Sequence, residues 1–258
     1  MPLEALIFDV DGTLAETEEL HRQSFNEAFA ASGFDWTWDE DLYRKLLQIT
    51  GGRERLEYFI DHWKKPQEAE RARAHLGDLQ ADKSARYIAS VKAGALVPRP
   101  GICRLIKEAH AAHVKLAIAT TSLLPNVEAL LRVMLGPEAP SWFTIIAAGD
   151  IVAHKKPAPD VYLYALKKLG CGARGAVAFE DSTNGLAAAT AAGLATVVTP
   201  SRYLVADDFS LATSLVSDLG EPSHPHRHSA GWRFEKGFVD LEGLRDMVEN
   251  VHLARREI

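Results

Sequence analysis

Apolar residues fall along this chain in two textures. The first is short and nearly unbroken: "ALIFD" at 5–9, "VKLAIAT" at 114–120, "FTIIAA" at 143–148, "GAVAFE" at 175–180, "ATVVTP" at 195–200 and "SLVSD" at 214–218. Runs this short and nearly continuous in apolar residues mark strands buried on both faces. Between them lie stretches of helical spacing, near 102–109, 126–134, 159–169 and 183–192, with a final one near 240–249. Strands alternating with single helices predict an α/β fold, a doubly wound and mostly parallel sheet covered on both faces.

The second texture is helical throughout. Residues 18–31 read as one helix, and from Trp38 to about Ala93 apolar residues recur at helical spacings, as at Leu42, Leu46, Leu47, Leu56, Phe59 and Ile60. Thr50-Gly51-Gly52 and Pro66 interrupt this stretch. The pattern predicts an α/β core from residues 1–15 and 98–258, with an α-helical cap at 16–97 inserted after the first strand. The segment 221–237, "EPSHPHRHSAGWRFEKG", is broken by Pro and Gly and reads as an exposed loop. His224, His226 and His228 alternate there, a weak metal pattern with no Cys or acid to complete it.

Composition narrows the class. A chain of 258 residues, 47% hydrophobic, can bury a sizeable core without disulfides or a structural metal. Cys103 and Cys171 are far apart in apolar surroundings and read as reduced core thiols, which fits a reducing compartment. A net charge of −6 argues against a nucleic-acid partner. No apolar run reaches membrane-spanning length, so no membrane is expected. The first strand starts so close to Met1 that no targeting segment fits ahead of it.

Chemistry gathers at the strand ends. The first strand closes on Asp9 and Asp11, the second on Thr120, Thr121 and Ser122, and that at 175–180 on Glu180 and Asp181; Lys155 and Lys156 precede a helix. Ligands of open α/β sheets bind at the carboxyl ends of the strands. Each residue alone fits a turn or a helix cap, but acids, hydroxyls and a lysine together suit phosphoryl transfer. One carboxylate can attack phosphorus, and a second can serve as acid and base. Both acids of the first strand and Asp181 can hold Mg²⁺, and the metal and lysine offset the charge of the phosphoryl group. Neither a P-loop nor a dinucleotide glycine motif is present.

The motif "DVDGT" at 9–13, with Thr120, "KKPAPD" at 155–160 and Glu180-Asp181, resembles the haloacid-dehalogenase-like hydrolase superfamily along essentially the whole chain. The resemblance implies a Rossmann-like core with a helical cap, Asp9 as nucleophile and Asp11 as general acid and base. It implies Thr120 as the second-motif hydroxyl, Lys156 as the third-motif lysine, and Glu180 and Asp181 as the fourth motif. Mg²⁺ would then be held by Asp9, the Asp11 carbonyl, Glu180 and Asp181, with Ser122 and Asn126 near the phosphate or substrate. The cap segments "ETEELH" and "TGGRERLEYF" are similar to the CbbY-type group, associated with carbon fixation and related to β-phosphoglucomutase. That likeness implies a phosphatase acting on a small phosphorylated sugar, xylulose-1,5-bisphosphate, in a monomer; a reducing, Mg²⁺-rich setting fits the cytoplasm, or the plastid stroma if a transit peptide has been removed. A phosphomutase, or a phosphatase for phosphoglycolate, is the alternative; by the same resemblance Thr13 leans towards hydrolysis. A bisphosphate needs a second anion seat. Arg53 and Arg55 follow the Gly-Gly break at a helix start, and Arg53 is the candidate, with Lys83 and Arg86 further along the cap. Glu18 and His21, three apart on one helix face, are candidates for contact with sugar hydroxyls.

Overall fold

The computed structural model describes residues 2–204 and 207–254. Its sheet has seven strands: β1 (Ala5–Phe8), β2 (Lys115–Ala119), β3 (Phe143–Ala147), β4 (Ala176–Glu180), β5 (Ala195–Val198), β6 (Ser214–Val216) and β7 (His228–Gly231). The order is β3-β2-β1-β4-β5-β6-β7, and every pair is parallel except β6 with β7. β1 is central, with Leu6 opposite Leu116 on one side and Val177 on the other.

Successive side chains of a strand face opposite ways, and β1 feeds two cores. Leu6 and Phe8 join Leu105, Ile106, Leu130 and Leu244 from α6 (Ile102–Ala111), α7 (Leu124–Leu135) and α10 (Leu241–Ala254). Ala5 and Ile7 join Tyr162, Ala165 and Ala188 from α8 (Asp160–Leu169) and α9 (Thr183–Ala191). The sheet is thus covered on both faces.

Between β1 and α6 the chain forms α1 (Glu18–Ala31), α2 (Glu40–Leu46), α3 (Gly52–Trp63), α4 (Pro66–Ala74) and α5 (Leu76–Lys92). These helices have their own core, dominated by Phe25, Phe29, Trp36, Trp38 and Phe59. Trp38 meets Phe29 and Phe59 edge-on at 5.1 and 5.3 Å, geometry that suits aromatic quadrupoles. Gly51, at φ 97°, turns the chain into α3 where a side chain would be strained. Pro66 opens α4, where its missing N–H costs no helical bond. The chain leaves and re-enters the sheet layer side by side: Ala15 bridges Pro98, and Arg99 N–H donates to the Leu14 carbonyl at 2.9 Å.

The C-terminal third departs from expectation. The strand at 214–216 is not the last, and 221–237 is not a plain loop, because His228–Gly231 pairs antiparallel with β6. All four β7 residues are exposed, so no apolar alternation announced the strand. Its backbone ladder with β6 is extended by Trp232, whose N–H donates to Thr213 O at 2.7 Å and whose carbonyl accepts from the Ser214 hydroxyl at 2.7 Å. His226 is buried against the Phe234 ring rather than exposed, while His224 and His228 face solvent.

Candidate active site

Strand order places the site. β1 and β4 are neighbours whose connections run to opposite halves of the sheet, and the crevice beyond such a switch point is where ligands bind. Asp9 follows β1 directly, its N–H donating to Phe179 O at 3.0 Å, so its carboxylate stands beside the end of β4. The chain then turns tightly, with Leu14 N–H bonded to Val10 O and Gly12 N–H to Ala15 O, both at 2.9 Å. Gly12 has φ 81°, and a Cβ there would lie 1.9 Å from the Asp181 carboxylate. Only glycine lets this turn rest against that acid.

Lys156 joins the two strand ends. Its ammonium donates to Asp9 Oδ1 at 2.7 Å and to Glu180 Oε1 at 2.6 Å, and all three groups are buried. Glu180 also accepts from the Tyr162 hydroxyl. Asp9, Glu180 and Asp181 bring carboxylate oxygens within 4.8 Å of one another, the one such convergence of potential ligands among the described residues. Three carboxylates therefore converge beside a single ammonium, which bonds two of them. Burial pushes Asp9 up to about 7, and the Glu180 and Asp11 charges add to that while Lys156 opposes it. Burial likewise raises Asp181, reinforced by Asp9 and Glu180. Burial alone would lower Lys156, but the two carboxylates hold it well above the usual lysine range. Such a cluster is short of positive charge and can take a divalent cation.

Asp11 is treated differently. Its carboxylate turns away from the three acids and accepts from Thr17 Oγ1 at 2.7 Å, His21 Nε2 at 2.8 Å and the Ser122 hydroxyl. Burial works to raise its pKa, but His21 and these hydrogen bonds outweigh it and hold the acid below the carboxylate range. Lys83 Nζ lies 2.7 Å from His21 Nδ1. An ammonium can only donate, so with Lys83 charged, Nδ1 accepts and Nε2 carries the proton towards Asp11. Burial pushes Lys83 down to about 8.

A cavity of about 280 Å³ runs from these acids to the inner wall of the helices. Glu18, on that wall, accepts from the Tyr43 hydroxyl at 2.7 Å and lies 3.9 Å from Arg55. Arg55 is buried and donates to Tyr43 Oη at 3.0 Å and Leu46 O at 3.2 Å. The first residues of α3 also line the cavity, and no side chain caps that helix start. Contacts cross from helices to sheet layer beside the opening: Ser84 Oγ donates to Asn126 Oδ1 at 2.6 Å, Lys155 pairs with Glu54, and Asn184 Nδ2 donates to Thr50 Oγ1 at 3.0 Å and Gln48 O at 3.3 Å.

The profile of the haloacid dehalogenase-like hydrolases matches residues 3–193. The chain belongs to that family. This hydrolase is 49% identical to the protein CbbY of Cereibacter sphaeroides over 219 residues, 85% of this chain and 94% of the relative. It is 30% identical over 194 residues to a phosphorylated carbohydrates phosphatase of Thermotoga maritima, 74% of this chain and 82% of the relative. A crystal structure of a CbbY variant from Rhodobacter sphaeroides in complex with xylulose-1,5-bisphosphate superposes with a TM-score of 0.79 at 48% identity, covering 84% of this chain and 96% of that one. The hydrolase is a phosphatase by these relationships. No helix among the described residues is long and apolar enough to cross a membrane.

Of the sequence candidates, Asp9, Asp11, Thr120, Lys156, Asp181, Glu18, His21, Lys83, Ser122 and Asn126 all line this one cavity, and Glu180 lies buried behind it. Thr120 is buried, and its hydroxyl accepts from Ser122 N–H at 3.2 Å. Arg53 reaches only the cavity's rim, exposed and paired with Glu57 at 3.0 Å. Arg86 does not line the cavity and pairs with Asp82 at 2.8 Å. Sequence reasoning missed Tyr162 and gave Arg55 too little weight. Arg55 sits one residue before Leu56 on the apolar face of α3, and a cation at a buried helical position is a legible signal.

Proposed function

We propose that this phosphatase hydrolyses xylulose-1,5-bisphosphate with the help of Mg²⁺, through a phosphoryl group carried on Asp9. The observation that carries the reading is the Asp9–Lys156–Glu180 arrangement at the inner end of a cavity whose outer wall holds Arg55. The cavity therefore offers cationic groups at both ends, as a substrate with two phosphates needs.

The residues fit a hard cation. Asp9, Glu180 and Asp181 supply carboxylate oxygens only, their joint charge exceeds that of Lys156, and burial keeps water from screening it. When bound, Mg²⁺ supplies charge stabilisation for the phosphoryl oxygens.

Asp9, held by Lys156, attacks phosphorus, and the bond from phosphorus to the sugar oxygen breaks. Asp11 gives that oxygen a proton. The free protein keeps Asp11 ionised, so it takes up a proton from solvent as substrate binds and its bonds to Thr17, His21 and Ser122 loosen, and it releases one again at the end of the cycle. Water then attacks phosphorus, Asp11 takes the water's proton, and the Asp9–phosphorus bond breaks, restoring both carboxyl groups. Thr120 and Ser122, at the end of β2, hold phosphoryl oxygens. At the far end Arg55 and the open N-terminus of α3 seat the second phosphate, while Glu18 and His21 meet sugar hydroxyls between them. The helices at 16–97 act as a cap that keeps bulk water out.

The test is phosphate release with Mg²⁺ across xylulose-1,5-bisphosphate, ribulose-1,5-bisphosphate, β-glucose-1-phosphate and phosphoglycolate, with isomerised product followed in parallel. The expected result is a kcat/KM for the xylulose bisphosphate at least about 100-fold above the others, abolished in Asp9→Asn. Conversion of glucose-1-phosphate to glucose-6-phosphate with little free phosphate would replace this reading with a mutase.

A further inference from the structure

Where the chain returns from the helices to the sheet layer it reads Pro98-Arg99-Pro100-Gly101. A residue before proline is confined to extended conformations, so Arg99 is held straight between two rigid neighbours. Its backbone pairs with the outgoing strand through the N–H bond to Leu14 O at 2.9 Å. Its side chain does not reach for water. Arg99 is 9% exposed, and its guanidinium sits among backbone carbonyls.

Each of those carbonyls comes from the catalytic edge of the sheet. Nη1 donates to Gly12 O, in the turn after β1, and to Thr199 O at 2.7 Å, just past β5. Nη2 donates to Pro200 O at 3.2 Å and to Ser217 O at 2.8 Å, just past β6. Glu16, where the chain departs for α1, lies 3.6 Å from Nη1. The four terminal N–H groups of one planar fork are matched by four carbonyls from three loops. A lysine has three donors on one point and cannot span them.

The Gly12 contact matters most. Gly12 follows Asp11 directly, and it sits so close to the Asp181 carboxylate and Ser201 that a Cβ on it would collide with that carboxylate. Fixing the Gly12 carbonyl therefore fixes where the turn holds Asp11 relative to Asp9 and Asp181. The same residue forms one of the two crossings to the helices, so catalytic turn and crossing are tied at one side chain.

We propose that Arg99 is a positioning residue for the phosphatase reaction, clamping the Asp11-Gly12-Thr13 turn to the ends of β5 and β6 and to the crossing strands; this rests on the roles given above to Asp9 and Asp11. It touches neither substrate nor reacting atoms. Removing the clamp leaves every catalytic group present and loosens their spacing, and misplacement on the order of 1 Å costs about 100-fold in rate.

The experiment measures Mg²⁺-dependent hydrolysis of p-nitrophenyl phosphate by the full chain, its Asp9→Asn variant, Arg99→Lys and Arg99→Gln, with thermal unfolding of each. The aryl phosphate makes no demand on the sugar pocket, so the result is independent of substrate identity. Arg99→Lys, still folded at the assay temperature, is expected to lose about 10- to 100-fold in kcat with KM changed less than about threefold. Arg99→Gln is expected to lose more and to regain part of its kcat with millimolar methylguanidinium. A purely structural arginine would lower the unfolding temperature and leave kcat per folded molecule alone. If Arg99→Lys is folded and within threefold of the parent in kcat, the proposal is overturned. Should Arg99→Gln fail to fold, the Lys variant alone decides. Equal hydrolysis by the parent and Asp9→Asn removes the functional reading and this proposal together; a dead Asp9→Asn beside a normal Arg99→Lys removes only the second.

Discussion

The two ends of the cavity handle charge in opposite ways. At the sheet edge, Asp9, Glu180 and Asp181 converge with one ammonium that bonds only the first two, and Asp9 and Asp181 are pushed up in pKa by burial and by neighbouring carboxylates. On the helical wall the charges come in satisfied sets: Glu18 with Tyr43 and Arg55, and Lys83 with His21 and, through it, Asp11. The edge is unbalanced until a cation and a phosphoryl group arrive. The wall is balanced already, so a ligand there must compete with existing partners. Substitutions at the edge should therefore act on kcat, and substitutions on the wall on KM.

The largest expected effect tests the edge without touching an acid. Gly185 lies in α9 directly over Glu180, and a Cβ there would fall 1.8 Å from Oε2 and 2.2 Å from Oε1. Gly185→Ala must displace the Glu180 carboxylate, which takes one partner from Lys156 and one ligand from the cluster. The expected outcome is a loss of about 100-fold in kcat and about 1–3 kcal/mol in stability, read by steady-state kinetics and denaturant unfolding. A variant with parental kcat would show that Glu180 is dispensable and that the edge is less tightly defined than its geometry implies.

The wall is tested next by Arg55→Gln. Losing a charged contact to the far phosphate should raise KM for the bisphosphate about 10- to 100-fold, with kcat on p-nitrophenyl phosphate within about threefold. A fall in kcat on both substrates would mean that the wall acts on chemistry and that the contrast between the two ends is false.

Much of the edge was legible in the sequence because its signals are local. An apolar run ending in "DVDGT" fixes strand, turn and acids within a few residues, and the remaining motifs stand at other strand ends. The parallel sheet was readable for the same reason, since strands buried on both faces are apolar without interruption. β7 was not, because an exposed edge strand held by backbone bonds imposes no side-chain pattern. The wall was only half legible. Its residues come from α1, α2, α3 and α5, and which cation meets which acid depends on helix packing rather than on spacing. Arg99 belongs to the same class, since its four partners are backbone carbonyls from three loops and leave no mark in the sequence.

Lys83 sharpens the comparison through pH, because it belongs to the wall yet reaches Asp11 through His21. Burial pushes its pKa down to about 8. Below that value it is an ammonium and donates to His21 Nδ1; above it the charge is lost. Activity should therefore fall along a limb with its midpoint near pH 8, and Lys83→Met should lower activity at neutral pH and remove the limb. Stability should move the other way. The folded pKa lies below the unfolded value of 10.5, so the unfolded chain binds more protons between about 8 and 10.5, and stability attributable to Lys83 rises across that window. A limb that persists in Lys83→Met belongs to another group.

The smallest expected effect separates Arg53, the candidate favoured by sequence, from its near neighbour Arg55. Arg53 and Arg55 follow the same Gly51-Gly52 turn, both near the uncapped start of α3, and both carry the charge a second phosphate needs. Two positions along a helix turn a side chain about 200° around its axis, so when one faces inward the other faces out. Leu56, Phe59 and Ile60 fix the inward face of α3, and Arg55 falls with them, buried and bonded to Tyr43. Arg53 is left exposed, pairing with Glu57 one turn on. An exposed pair of this kind holds its cation loosely and is screened by salt. Arg53→Ala should therefore change KM for the bisphosphate by no more than about twofold, and less still at high ionic strength. An effect as large as that of Arg55→Gln would mean that α3 rolls when substrate binds, bringing its outer arginine over the phosphate, and the wall would then be a moving part rather than a prepared one.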